Sequence, residues 1–268
     1  SNILKHLKGW MQPESVSTNL LNLPSKSFIL QEPLGVVLII SPWNYPFQLL
    51  MTPLAGAMAA GNCVILKSSE FAPATSAVMK QMIEETFDKN YIQFVEGDGA
   101  VVIPEMMNNF TFDHVFYTGS TAVGKLVYKM AAERLVPVTL ELGGKSPCVV
   151  EADADIEITA KRIAITKFTN AGQMCVAPDY VLVHESRKEE LIAGLKKSIH
   201  GFFGDKPEDS GNYGKIINGK QFDRLVKYLQ QGQLIHGGRN DKEKLFIEPT
   251  VISNVSLDAD IMKDEIFG

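Results

Sequence analysis

Apolar and polar positions along this chain follow two periods that take turns. Nearly continuous apolar, β-branched or aromatic runs at 35–40, 63–66, 91–95, 114–118 and 136–142 predict strands buried in a sheet. Between them, 47–60, 73–87, 101–107 and 123–132 carry apolar residues at helical spacing, and the second of these opens on Pro73 in its first turn. The alternation predicts an α/β fold whose first part is a doubly wound, mostly parallel sheet with helices on both faces. After Gly143-Gly144 the pattern becomes mixed, with helices expected at 156–168, 188–200 and 221–230 and a strand at 180–184. Ahead of the sheet, residues 3–11 read as an amphipathic helix and 16–31 as two extended pieces around Pro24-Ser25. Such an excursion has open edges suited to pairing with another subunit, although an ordinary surface hairpin reads the same way.

A chain of 268 residues has room for two domains. The composition break places residues 1–143 in one, a cofactor domain, and 144–268 in a second α/β domain. A net charge of −5 gives no reason to expect nucleic acid or an anionic membrane as a partner. No apolar run approaches the ~18 residues of a membrane span, and no secretory signal is visible at the amino end. Three cysteines without a CxxC pair point away from a metal site or a disulfide framework and toward a reducing, cytoplasmic compartment. Cys63 and Cys148 fall in apolar runs and read as small residues of buried strands.

Cys175 is different, because it follows Asn170, Gly172 and Gln173 where a helical pattern has just ended. Glu141 precedes a glycine pair 34 positions earlier. A thiol on a turn and a carboxylate at a strand end are a nucleophile and a base, enough for two-step acyl chemistry. Gly119-Ser120-Thr121-Ala122-Val123-Gly124-Lys125 follows a strand and opens a helix, where backbone N–H groups favour a phosphate. Leu126 stands where a P-loop needs a magnesium-binding hydroxyl, and the three-glycine dinucleotide fingerprint is absent. A diphosphate held without magnesium fits, as does a glycine turn needed only for packing. Asn44, stiffened by Pro42 and Pro46, could donate to an oxyanion or merely satisfy its own turn. Lys67 and Glu70 could meet a ribose or form a solvated pair at a helix entry.

Six segments in order closely resemble the aldehyde dehydrogenase family: Pro42-Trp43-Asn44-Tyr45-Pro46, Leu66-Lys67-Ser68-Ser69-Glu70, Tyr117-Thr118-Gly119-Ser120-Thr121, Leu140-Glu141-Leu142-Gly143-Gly144-Lys145, Gly172-Gln173-Met174-Cys175 and Glu265-Ile266-Phe267-Gly268. The flanks of Lys145 and Cys175 look like the class 3 branch, which handles medium- and long-chain aliphatic or aromatic aldehydes. Ser68, where the family usually has proline, and Met174, where threonine is common, depart from the pattern. The resemblance implies NAD(P)-dependent oxidation of an aldehyde to an acid. Cys175 would be the nucleophile, Glu141 the base that activates water, and Asn44 an oxyanion donor. It implies NAD or NADP contacts from Trp43, Lys67, Glu70, Gly119, Ser120, Val123, Gly124, Leu142, Gly143, Gln221, Glu265 and Phe267, with no metal. It further implies a homodimer for the full-length enzyme. Family members run beyond the Glu-Ile-Phe-Gly motif, so residues 1–268 are expected to hold an incomplete catalytic domain and to turn over little by themselves. An acylating relative using coenzyme A or phosphate, or a non-catalytic cofactor-binding fragment, is the alternative.

Overall fold

The structure is a computed structural model that describes residues 2–268. It divides into two compact units, one ending at Leu142 and one starting at Gly143.

In the first unit, α1 (Asn2–Trp10) is followed by a short antiparallel pair, β1 (Glu14–Val16) and β2 (Ser27–Ile29). None of these elements contains a buried residue, and Leu20 and Leu21 between the strands are 82 % and 92 % exposed. The body of the unit alternates β3 (Val36–Ile40), α2 (Pro46–Ala59), β4 (Cys63–Lys67), α3 (Pro73–Thr86), β5 (Ile92–Val95), α4 (Gly99–Asn109), β6 (His114–Thr118), α5 (Thr121–Ala132) and β7 (Val138–Glu141). The five strands β3–β7 form one parallel sheet in the order β5-β4-β3-β6-β7.

β3 shows why its run lacks alternation. Val37 and Ile39 join Leu50, Leu54, Met79 and Ile83 in one core, while Leu38 and Ile40 join Ile103, Met107, Val127 and Ala131 in another. Successive side chains of a strand point to opposite faces, so a strand covered on both needs apolar residues throughout. Helix starts are fixed locally. Pro46 and Pro73 sit in the first turns of α2 and α3, and the Asp98 carboxylate accepts the Ala100 N–H at 2.9 Å to cap α4.

The second unit opens with a βαβ crossover, β8 (Pro147–Val150), α6 (Ile156–Phe168) and β9 (Tyr180–Val183), the two strands parallel. The next helix, α7 (Lys188–Phe203), packs on α6 through Ile163, Phe168, Leu191, Leu195 and Phe203, with Val150 of β8 in the same core. A Cβ at Gly194 would lie 2.9 Å from the Ala160 methyl, so the two helices approach closely there. Helix α7 stops at Gly204, whose φ of +72° a residue with a side chain adopts at a cost. Beyond α8 (Gly219–Tyr228), the pairs β10 (Gln233–His236) with β13 (Val251–Ser253) and β11 (Asn240–Asp241) with β12 (Phe246–Ile247) are antiparallel. A one-turn helix, α9 (Asp260–Lys263), precedes the last residues.

One expectation needs correction. Cys63 and Cys148 are only half buried, and β8 is not a buried strand, since Val149 beside Cys148 is 62 % exposed. β8 pairs only with β9 among the described residues; Cys148 and Val150 face the core formed with α6 and α7, and Val149 points away from it. Among the described residues no helix is long and apolar enough to cross a membrane.

Candidate active site

The sequence-selected residues fall into two groups, one in each unit. The first group gathers at the carboxyl edge of the five-stranded sheet. The chain steps from β3 outward to β4 and β5, then returns to β6 on the other side, so the loops after β3 and β6 diverge. Open α/β sheets bind ligands at such a switch point. The loop after β3 carries Trp43 and Asn44, both half buried. Ser41, which starts it, is buried, and its Oγ has no hydrogen-bond partner among the described residues. A buried orphan hydroxyl is costly unless something else satisfies it.

After β4, Lys67 is buried with its Nζ donating to the Ser68 carbonyl at 2.5 Å, and Glu70 Oε2 lies 3.5 Å away. The Ser68 hydroxyl pairs with that of Ser76 on α3 at 2.5 Å. Glu70 stands beside the start of α4, 3.7 Å from where a Cβ on Gly99 would be. After β6, a Cβ on Gly119 would strike the Tyr117 hydroxyl, and one on Gly124 would lie 2.7 Å from Leu142 Cδ2. Both glycines of this loop thus serve close packing. The Ser120 hydroxyl accepts the Val123 N–H at 3.4 Å, capping α5, with both residues exposed. Glu141, exposed, ends β7, where its carbonyl accepts the Gly119 N–H at 3.0 Å.

The second group lies in the second unit around Cys175. Asn170, Ala171 and Gly172 have φ of +52°, +52° and +76°, a left-handed run directly before the cysteine turn. Two of the three carry side chains, and such residues cost roughly 1–2 kcal/mol each in this conformation. Buried Gln173 offsets this, donating to the Asn170 and Lys215 carbonyls at 2.9 Å each and accepting the Ile217 N–H at 2.9 Å. Gly172 is needed for room as well, since a Cβ there would sit 2.6 Å from the backbone of Gly268. The segment Glu265–Gly268 therefore lies on the cysteine turn. Its other neighbour is the glycine pair, because a Cβ on Gly143 would fall on the Glu265 carboxylate.

Charge holds this segment in place. Arg224 on α8 donates to the carbonyls of Glu265 at 3.3 Å and Ile266 at 2.5 Å, with Gln221 Oε1 accepting from its Nε at 2.7 Å. Asp179, its side chain 2 % exposed, pairs with Lys145 at 2.6 Å and accepts the Ile266 N–H at 3.0 Å. Burial, and then the negative charge of Asp179, push the Glu265 carboxyl up, against the Gly144 N–H, Lys167 and Arg224. Phe267 is half buried with a φ of +49°.

Ser41, Lys145, Lys167, Gln173, Asp179 and Arg224 were not singled out by sequence reasoning. Lys145, Gln173 and Asp179 stand within the quoted segments and their flanks and so carried a signal. Lys167 and Arg224 look like the solvated lysines and arginines of any amphipathic helix.

Lys167, in the last turn of α6, gives a pH prediction. Its Nζ is 4.0 Å from Asp179, and burial, only partly opposed by that carboxylate, pushes its pKa down from 10.5 to about 8. The folded chain thus binds fewer protons than the unfolded one between those values, so stability rises with pH across that window. Below about 8 the full penalty is present, roughly 3 kcal/mol at ~1.4 kcal/mol per unit. With Asp179 keeping Lys145 as its partner at 2.6 Å, Lys167→Met is expected to stabilise the chain at neutral pH, and the gain should shrink as pH climbs toward 10.5. Denaturant titrations at two pH values measure it; a gain independent of pH would refute the account.

Comparison with known proteins places this chain in one family. The model of the aldehyde dehydrogenase family matches residues 3–268, and the chain belongs to that family. It is 49 % identical over 266 residues to 4,4'-diaponeurosporen-aldehyde dehydrogenase of Staphylococcus aureus, covering 98 % of this chain and 58 % of that protein. It is 45 % identical over 265 residues to aldehyde dehydrogenase family 3 member B2 of Mus musculus, covering 99 % and 55 %. Among solved structures, a substrate-bound aldehyde dehydrogenase (AldH) of Staphylococcus aureus superposes with a TM-score of 0.90 at 48 % identity, over 99 % of this chain and 58 % of that one. Betaine aldehyde dehydrogenase of the same organism, in complex with NAD+, gives a TM-score of 0.84 at 30 % identity over 100 % and 55 %. The chain spans somewhat more than half the length of the relatives it matches.

Proposed function

We propose that the protein carrying this chain oxidises an aldehyde to a carboxylic acid with NAD or NADP. The observation that carries the reading is the juxtaposition in the second unit. There the Glu265–Gly268 segment lies against both the Gly143 turn and the turn of Cys175, so a cofactor-binding carboxylate and a nucleophile share one locus. The first unit suits the rest of the cofactor. The orphan Ser41 hydroxyl and the loops after β3 and β6 open at the switch point, and Lys67 and Glu70 stand at the same edge, fit for ribose hydroxyls.

Lys67 and Glu70 would hold the adenine ribose and Gly119, Ser120, Val123 and Gly124 the diphosphate, with Trp43 a further cofactor contact. Leu142, Gly143, Gln221, Glu265 and Phe267 would hold the nicotinamide end. The cofactor, when bound, supplies the hydride acceptor. Cys175 attacks the aldehyde carbon as a thiolate, and the Asn44 side chain with the Cys175 N–H receives the developing oxyanion, each such donor contributing ~3–4 kcal/mol. Loss of hydride leaves a thioester on Cys175. Glu141 takes a proton from the water that cleaves it, and the retained carboxylate favours water over coenzyme A as the acceptor.

The resemblance to class 3 relatives suggests medium- and long-chain aliphatic or aromatic aldehydes as substrates and a homodimer, and the cysteine usage suggests a cytoplasmic location. An NADH absorbance assay on the full-length protein tests the activity. Aldehyde-dependent reduction that needs no coenzyme A or phosphate is expected. A requirement for either acceptor would turn the reading to an acylating enzyme, and no reduction with any aldehyde would end it.

A further inference from the structure

We propose that Asp179 is a positioning residue: its buried carboxylate holds the Glu265–Phe267 segment in register with the turn that carries Cys175. Three observations within the second unit converge on it. First, Asp179 lies four positions past Cys175 and is tied to its own strand start, its N–H donating to the Ser146 carbonyl at 2.9 Å. Second, its two oxygens stand 3.0 and 3.4 Å from the Ile266 N–H, a contact across 87 residues of sequence that reaches the residue next to Glu265. Third, the carboxylate is neutralised from two elements. Lys145, just after the glycine pair, sits at 2.6 Å and also donates to the Ile261 carbonyl at 2.7 Å, while Lys167 of α6 stands at 4.0 Å.

The geometry is that of a clamp. Arg224 grips the segment by its carbonyls at Glu265 and Ile266, and Asp179 grips it by the intervening N–H. Between these two holds the Glu265 side chain is left to reach Gly143 and Gly144. Releasing the Asp179 hold leaves the Arg224 contacts in place but removes what sets the rotation of the segment about them. The Glu265 carboxylate is then no longer fixed over the glycine pair. A buried carboxylate between two lysines is an expensive device for stability alone, since apolar groups of the same size commonly serve as well or better. It is suited to fixing one geometry.

The functional consequence rests on the proposed role of Glu265 at the cofactor, so the test separates the two. Asp179→Ala and Asp179→Asn are made in the full-length protein, and amide hydrogen exchange is followed without cofactor. In Asp179→Ala, exchange at Ile266 and Phe267 is expected to accelerate by about tenfold to a hundredfold, with α6 and α7 unchanged. Asp179→Asn keeps an acceptor for the Ile266 N–H and should restore much of that protection. In steady state, KM for the cofactor should rise by about tenfold with a smaller loss of kcat. Unchanged exchange at 265–268 in both variants overturns the proposal, as does acceleration spread equally over α6 and α7. If the alanine variant does not fold, Lys145→Met decides by the same local readout, because it removes the partner at 2.6 Å that fixes the Asp179 carboxylate: faster exchange at Ile266 and Phe267 alone supports the clamp, and unchanged exchange overturns it. Local loosening with cofactor KM unchanged would sustain the positioning role and remove Glu265 from the cofactor site.

Discussion

Cys175→Ala in the full-length protein is expected to remove aldehyde oxidation almost completely, by on the order of 10⁴-fold or more, while cofactor binding persists. The asymmetry follows from where the groups lie. Most of the proposed cofactor contacts are at the sheet edge of the first unit, and the thiol contributes nothing to them. In the second unit the turn is held by Gln173 and by the packing of Gly172 on Gly268, neither of which involves the cysteine side chain. Loss of a sulfur should therefore leave the turn standing. The other two thiols provide the contrast. Cys63 and Cys148 are half buried in strands, so alanine at either should cost about 1–2 kcal/mol of stability with turnover intact. Burial also pushes the Cys148 thiol up, which slows its reaction with alkylating reagents. Native-state iodoacetamide labelling followed by peptide mass analysis should find Cys175 modified before Cys148. Preferential labelling of Cys148, or an active Cys175→Ala enzyme, would defeat the assignment.

How much of this was readable in the chain differs between the units, for a physical reason. In the first, β3 and β4 are covered on both faces, so the requirement for apolar residues is written continuously at 36–40 and 63–66 and needs no partner to be recognised. Helix α6 was legible to the residue because its apolar positions face a single core and Asp155 caps it, accepting the Ile158 N–H at 3.0 Å. In contrast, β10–β13 went unpredicted. They run two to four residues each, and their order comes from pairing with a single neighbour rather than from periodicity. In β8 the apolar run likewise misleads, since Cys148 and Val150 face the core of α6 and α7 while Val149 between them stays exposed. At the candidate site, the reacting groups were legible because Cys175 and Glu141 sit in distinctive local frames. The supports were not. The partner of Asp179 lies 87 residues away, and a lysine that ends up buried beside it looks no different in the sequence from one in solvent.

Glu141→Gln should separate the two halves of the proposed reaction. Glu141 is exposed at the end of β7, and its backbone is fixed by the Gly119 N–H, so a change of side chain leaves that strand end in place. Glutamine has nearly the same shape but cannot take a proton from water. If the carboxylate acts only in cleaving the thioester, the first half of the reaction survives. Mixing the variant with aldehyde and NAD should then give a rapid burst of NADH close to one equivalent per site. Steady-state turnover should be slowed by roughly 10²–10⁴-fold, the usual contribution of a positioned base. Mass spectrometry of the stalled protein should find an acyl group on Cys175, and added hydroxylamine, a nucleophile that needs no base, should release it and restore the thiol. A variant with neither burst nor adduct would show that Glu141 is needed earlier, to activate the cysteine itself. Steady-state turnover at the parent rate would mean that another base cleaves the thioester.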